Sequence, residues 1–165
     1  MRRRSGEPSV ARQVLLLQVG VVLTLVVASM ALAAYDARRD ARETATDRAL
    51  SVARTVADAP TIREALDDPD PSATIQPYAE RVRADADVDF VTVMSMDRIR
   101  YSHPDPANIG REFVGDVGTA PEGKVFTQQY TGNLGPSMRA VVPVFAADGS
   151  PVSYTHLTLP TNREV

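Results

Sequence analysis

Arg100, Ser102 and His103 stand within Ile99-Arg100-Tyr101-Ser102-His103-Pro104, and a second guanidinium follows at Arg139 in Ser137-Met138-Arg139. These residue types suit recognition of a small anion. An arginine fork meets a carboxylate with two parallel hydrogen bonds, and such charge-assisted bonds are about twice as strong as neutral ones. An imidazole can donate to a second carboxylate, more strongly when protonated. Two arginines and one histidine therefore fit a dianion better than a monoanion. Ser102, Ser137, Tyr101 and Thr127 offer hydroxyl donors. Taken singly, the same residues also fit plainer roles. His103 suits a turn before Pro104, Arg100 and Arg139 suit surface charge, Phe113 suits a core, and Lys124 beside Gly123 suits a solvated turn.

The chain offers little else for catalysis. It has no cysteine, which excludes thiol chemistry, disulfides and thiolate-bound metals. No serine sits in a Gly-x-Ser-x-Gly turn, so an anchored extracytoplasmic hydrolase is the weakest alternative. The second histidine, His156, lies in Val152-Ser153-Tyr154-Thr155-His156-Leu157-Thr158-Leu159-Pro160-Thr161. That stretch resembles a translated sequencing adapter of the transposase type. The reading sets residues 151–165 apart as a non-native tail, ends the native segment near Ser150 and leaves His103 as the only native imidazole. A genuine strand ending at a proline turn is the alternative.

The elements that must position these residues begin with a membrane span. Val14 to Ala34 carries no charge, and at ~1.5 Å rise per residue it reaches across the roughly 30 Å hydrocarbon core of a bilayer. Arg2, Arg3, Arg4 and Arg12 precede it, which places residues 1–13 in the cytoplasm and everything after residue 34 outside. A cleaved signal peptide with Ala31-Leu32-Ala33 at its cleavage site is the rival reading. The apolar stretch exceeds the ~7–15 residue core of such peptides, which favours a retained anchor. Gln18, Thr24 and Ser29 are tolerable inside the span, since hydroxyls bond back to helix carbonyls. A formal charge of −3 argues against a nucleic-acid partner, and an apolar content of 44% supports a packed domain over residues 35–150.

Beyond the span, Ala37 to Ala59 lacks Pro and Gly, and Leu50, Ala53 and Val56 recur at helical spacing, so the helix continues outward and Pro60 ends it. Thr61 opens a short helix through Leu66 as a capping box, and Thr74 caps another with Pro77 in its first turn. Tyr78, Val82 and Ala79 form the buried stripe of that helix. From Val88 the period changes. Val88–Met94 reads as a central strand, Asp97-Arg98 as a turn, and Ile99–Ser102 as a returning strand. Residues 103–118 are a Pro/Gly loop, and strands over 125–131 and 137–145 flank the turn Gly132-Asn133-Leu134-Gly135. Helices followed by antiparallel strands indicate an α+β class.

Residues 88–150 resemble the extracytoplasmic sensor region of citrate and C4-dicarboxylate sensor histidine kinases. The resemblance rests on Ile99-Arg100-Tyr101-Ser102-His103-Pro104, on Ile109-Gly110 with Phe113, and on Ser137-Met138-Arg139 ahead of Val142-Pro143-Val144. With the membrane helix and the long outer helix it covers residues 14–150. It implies a PAS-like (PDC/Cache-type) antiparallel-sheet sensor domain, incomplete at its C-terminal end, with Arg100, His103, Phe113 and Arg139 contacting a di- or tricarboxylate. After Arg139 the C4-dicarboxylate branch tends to carry an aromatic and the citrate branch basic residues nearby. Ala140-Val141-Val142 supplies neither, so the ligand stays open among malate, fumarate, succinate and citrate. The resemblance further implies a membrane-bound homodimer, no cofactor in this fragment, and ATP and a response regulator for a kinase part beyond it. The same input domain on a chemoreceptor or cyclic-dinucleotide protein is the alternative output.

Overall fold

The computed structural model describes residues 10–132 and 135–160. Most of the arginine-rich start (1–9), the centre of the predicted turn (133–134) and the end of the tail (161–165) lie outside the described residues. The chain forms two compact units, divided after Asp40.

Helix α1 runs Val10–Ala57 without a break, because no proline interrupts it and Gly20 is its only glycine. In the first unit its apolar side chains are exposed, and the helix is long and apolar enough to cross a membrane by length and composition. Thr24 and Ser29 donate their hydroxyl protons to the carbonyls of Gly20 and Leu25, each at 2.8 Å. The two hydroxyls of the apolar stretch are thereby satisfied within the helix, as expected.

In the second unit the end of α1 buries Ala49, Ala53, Val56 and Ala57. Two further helices follow, α2 (Pro60–Ala65) and α3 (Pro71–Asp85). Proline supplies the start of both, where its missing N–H costs nothing. Neither predicted threonine cap forms. Ala59 and Asp70 occupy the cap positions without a side-chain bond, and Pro77 lies inside α3 rather than in its first turn. The buried stripe of α3 is Ile75 and Ala79, with Tyr78 and Val82 half-buried beside it.

Four antiparallel strands form one sheet in the order β1-β4-β3-β2. They are β1 (Phe90–Ser95), β2 (Phe126–Gly132), β3 (Gly135–Phe145) and β4 (Pro151–Pro160). The returning strand expected over 99–102 is reduced to two isolated bridges, Met94 to Arg100 and Ile99 to Glu112. Arg98 takes the left-handed conformation, φ 64°, that tightens the turn before it.

Side chains alternate across the sheet and define two faces. Val91, Val93, Met138, Ala140, Val142, Val144, Leu157 and Leu159 pack with the three helices. Burying each of the larger ones stabilises the fold by about 1.5–3 kcal/mol. On the opposite face Met94, Val141 and Tyr154 pack under Val117, Ala120, Phe113 and Phe126 of the connecting loop and β2.

The segment set apart as a tail occupies an interior place in this sheet. Val152–Leu159 alternates β-branched, aromatic and aliphatic residues that suit a pleated surface, and it pairs with β1 and β3 on its two sides. β4 is buried from Ser153 to Leu159.

Candidate anion-binding site

The site is built on the sheet face away from the helices. Cross-strand partners share a face, so Thr92 on β1, His156 on β4 and Val141 on β3 stand in one row. Phe90, Thr158, Arg139 and Gln128 form the next. Arg139 is thus the diagonal neighbour of His156. Its guanidinium lies 4.4 Å from the centre of the Tyr130 ring, and its Nε is buried without a hydrogen-bond partner.

The loop after β1 brings the other residues over this face. Gly110, at φ 76°, allows the reversal in which its N–H donates to the Arg100 carbonyl at 2.8 Å. Arg100 donates through Nη1 to the carbonyls of Glu112 at 3.0 Å and Arg111 at 3.4 Å, while its Nε is buried and unpartnered. The guanidinium sits 5.3 Å from the Phe113 ring centre, and Phe113 in turn lies 4.8 Å from the His156 ring. Phe113 is therefore both a packing residue and the wall between Arg100 and His156. Gly115 lies under that ring, and a Cβ there would collide with it.

His103 is held through its backbone. Gln76 of α3 donates from Nε2 to the His103 carbonyl at 2.9 Å and accepts the His103 N–H at 2.8 Å. The ring Nδ1 lies 3.0 Å from the Asp105 N–H and 3.1 Å from its carbonyl. A neutral Nδ1 accepts from the first and a protonated one can donate to the second, so the ring keeps an anchor in either state. Burial lowers the His103 pKa below its ordinary value, and the Arg100 charge adds to this, while the Asp105 carbonyl and the Asp105 and Glu80 carboxylates oppose it.

His156 is the residue that the sequence reading excluded and the fold places inside the site. It is 5% exposed, and its Nε2 has no partner. Burial, reinforced by the charges of Arg139, Arg100 and His103, pushes its pKa down to about 3, so it is neutral near pH 7. Its position was unreadable from composition, because only strand register brings residue 156 between residues 92 and 141.

Other predicted donors do not join. Ser102 is fully buried, and its hydroxyl accepts from Val93 N–H at 2.8 Å and donates to the Val91 carbonyl at 3.2 Å. Ser137 donates to the Tyr130 carbonyl at 3.2 Å. Both hydroxyl protons are thus committed to strand backbone. Thr127 pairs with Ala140, on the face opposite Arg139. Tyr101 packs on the helix side, where with Arg63, Asp67 and Val152 it lines a separate open cavity of about 530 Å³. Lys124 pairs with Glu122 at 2.9 Å in solvent, as its turn position implies. Among the described residues no cluster of side chains is arranged to hold a metal.

What remains is a cluster of buried nitrogens on one sheet face. Among the described residues, four buried side-chain polar atoms lack a partner, and three are the nitrogens of Arg100, Arg139 and His156. Buried donors left unpaired are costly, about 1–3 kcal/mol each and more for charged groups, and an anion would satisfy them.

Comparison with known proteins identifies the family and the fold. The profile of the single Cache domain 3 family matches residues 36–159. The sensor protein CitS of Halalkalibacterium halodurans is 42% identical over 105 residues, covering 62% of this chain and 20% of that protein. The sensor histidine kinase DcuS of Escherichia coli K12 is 33% identical over 123 residues, covering 74% and 23%. The chain thus spans about a fifth of the length of these relatives. Among solved structures, the E. coli DcuS sensor domain superposes with a TM-score of 0.68 at 33% identity, over 74% of this chain and 93% of that one. The sensor domain of the Vibrio cholerae histidine kinase DctB, at a TM-score of 0.69 and 11% identity, covers 84% and 57% and shares the fold.

Proposed function

The chain belongs to the single Cache domain 3 family, and from that premise we propose that it is the input part of a membrane-bound sensor histidine kinase whose extracytoplasmic domain binds a small di- or tricarboxylate. The observation that carries this reading is the buried, unpartnered Nε atoms of Arg100, over the Phe113 ring, and of Arg139, over the Tyr130 ring. Arg100 and Arg139 would each take a carboxylate, His103 would donate to one of them, and Phe113 would pack against the ligand's carbon chain. His156 adds a neutral imidazole to the same lining.

The N-terminal helix anchors the protein in the cell membrane, with the arginine-rich start inside and the sensor domain outside. The protein would act as a homodimer, with a response regulator and ATP serving the kinase part of a longer parent protein. Signalling follows from differential affinity: a ligand shifts the output only as far as it prefers one conformation of the domain to another.

The test is calorimetric titration of the full chain in detergent or nanodiscs with succinate, malate, fumarate and citrate. Micromolar-to-millimolar binding is expected, weakened at least about ten-fold by Arg100→Ala or Arg139→Ala, the loss associated with one charge-assisted bond pair. Wild-type affinity in both variants removes these arginines from the site. Binding is also expected to weaken as pH rises, because only protonated His103 carries the extra charge. The midpoint in the empty protein lies below 6.5, since burial lowers the His103 pKa.

A further inference from the structure

The fourth buried, unpartnered atom is Glu80 Oε1 on α3. The site as described has no use for it. Glu80 follows Gln76 by four residues, so both lie on one face of α3, a single turn apart. Gln76 is the residue whose amide holds the His103 backbone through two hydrogen bonds. The other carboxylate oxygen, Oε2, is occupied by Arg83, whose Nε and Nη2 each lie 2.9 Å away. A carboxylate oxygen buried without a bond is costly unless a positive charge lies near.

We propose that Glu80 is a positioning residue for the ligand site: its carboxylate supplies the counter-charge to the His103 imidazolium while Gln76 fixes the backbone that carries the ring. The proposal rests on the carboxylate-binding reading and adds α3 to the site. The groups facing His103 are Arg100 and Asp105 from its own loop, Glu80 from α3 and His156 from β4, with Arg139 of β3 beyond His156. Arg100 disfavours the charged ring, and Asp105 and Glu80 favour it. Asp105 acts from within the loop through its carbonyl and its carboxylate, and Glu80, about a third exposed and paired with Arg83, adds a smaller contribution of the same sign from α3. Glu80 thereby adds to what keeps the second donor of the site charged nearer to neutral pH. Because Gln76 and Glu80 share one helix face, movement of the His103 loop on ligand binding is transmitted to α3 through both.

The chain contains two histidines, so its imidazole proton resonances are few enough to follow by NMR in the full chain in nanodiscs, with His156→Ala assigning them. Without ligand, Glu80→Gln is expected to lower the His103 midpoint by about half a pH unit, and succinate binding at pH 7 is expected to weaken about three-fold. The weakening at pH 5 should be smaller, because more of the ring is protonated there in both proteins. Arg83→Gln, which removes the competing cation, is expected to move the midpoint the opposite way. An unmoved midpoint in both variants overturns the proposal, as does equal weakening at both pH values, which marks a packing role. Failure of the wild-type chain to bind succinate, malate, fumarate or citrate at any pH would instead overturn the carboxylate reading, and the ligand-free midpoints would still decide the role of Glu80.

Discussion

Ser102 shows how one residue type in a suggestive motif can serve the scaffold instead of the ligand. It sits between Arg100 and His103, yet its hydroxyl bridges Val93 N–H and the Val91 carbonyl in the core. Ser102→Ala is expected to cost about 1–3 kcal/mol by denaturant titration, because it orphans a buried donor and acceptor. His156 makes the complementary case. Its folded pKa of about 3 lies below the ordinary 6.5, so the unfolded chain binds the extra proton and stability falls as pH drops through 6.5. Between pH 7.5 and 5 this amounts to about 2 kcal/mol. His156→Leu should flatten that part of the stability profile, and an equally steep profile would mean that the imidazole is solvated. The residue types for anion binding were legible in the sequence for Arg100, His103 and Arg139. The commitments of Ser102, Ser137 and Thr127 were not, because alternation and backbone bonding, rather than side-chain chemistry, decide where a hydroxyl proton goes.

At the scale of elements, the β1-to-β2 loop and α3 act together. Gly110 turns the loop back on Arg100, and Gln76 ties His103 to the helix. Gln76→Ala removes both bonds to the His103 backbone, and ligand affinity should fall about five-fold while the fold loses about 1–2 kcal/mol. Gln76→Glu, which can still accept the His103 N–H, should lose less. The last strand matters more. Its removal by ending the chain at Ser150 would expose the edges of β1 and β3 and delete Tyr154, Leu157 and Leu159 from the two cores. Amide exchange in such a chain should show no protected sheet, whereas protection of β2 and β3 alone would mean that the hairpin stands by itself. Order and type of the helices and of β1 to β3 were readable from periodicity. The strand expected over 99–102 is reduced to isolated bridges, and β4 was not read as a strand. The places of Pro60, Pro71 and Pro77 were not readable either, because the same proline can end one helix or open the next.

At the scale of the whole molecule, the proposed reading makes the first unit, long and apolar enough to cross a membrane, an anchor for the packed second unit. The absence of cysteine makes the orientation easy to test. Thr55 is exposed on α1 beyond the span. Thr55→Cys should react with a membrane-impermeant maleimide on intact cells, and labelling only after lysis would reverse the proposed topology.

The sequence by itself determined that a charge-free helix precedes an α+β domain, and that two arginines and a histidine are available to a small anion. These are local properties, set by run length, periodicity and side-chain chemistry. Only the tertiary structure decided that residues 151–160 fill the sheet, that His156 stands diagonally beside Arg139, and that Gln76 of α3 holds the His103 backbone. The reason is physical: strand register and helix docking join residues up to a hundred positions apart, and the reading of any single segment carries no record of which distant segment will satisfy its buried groups.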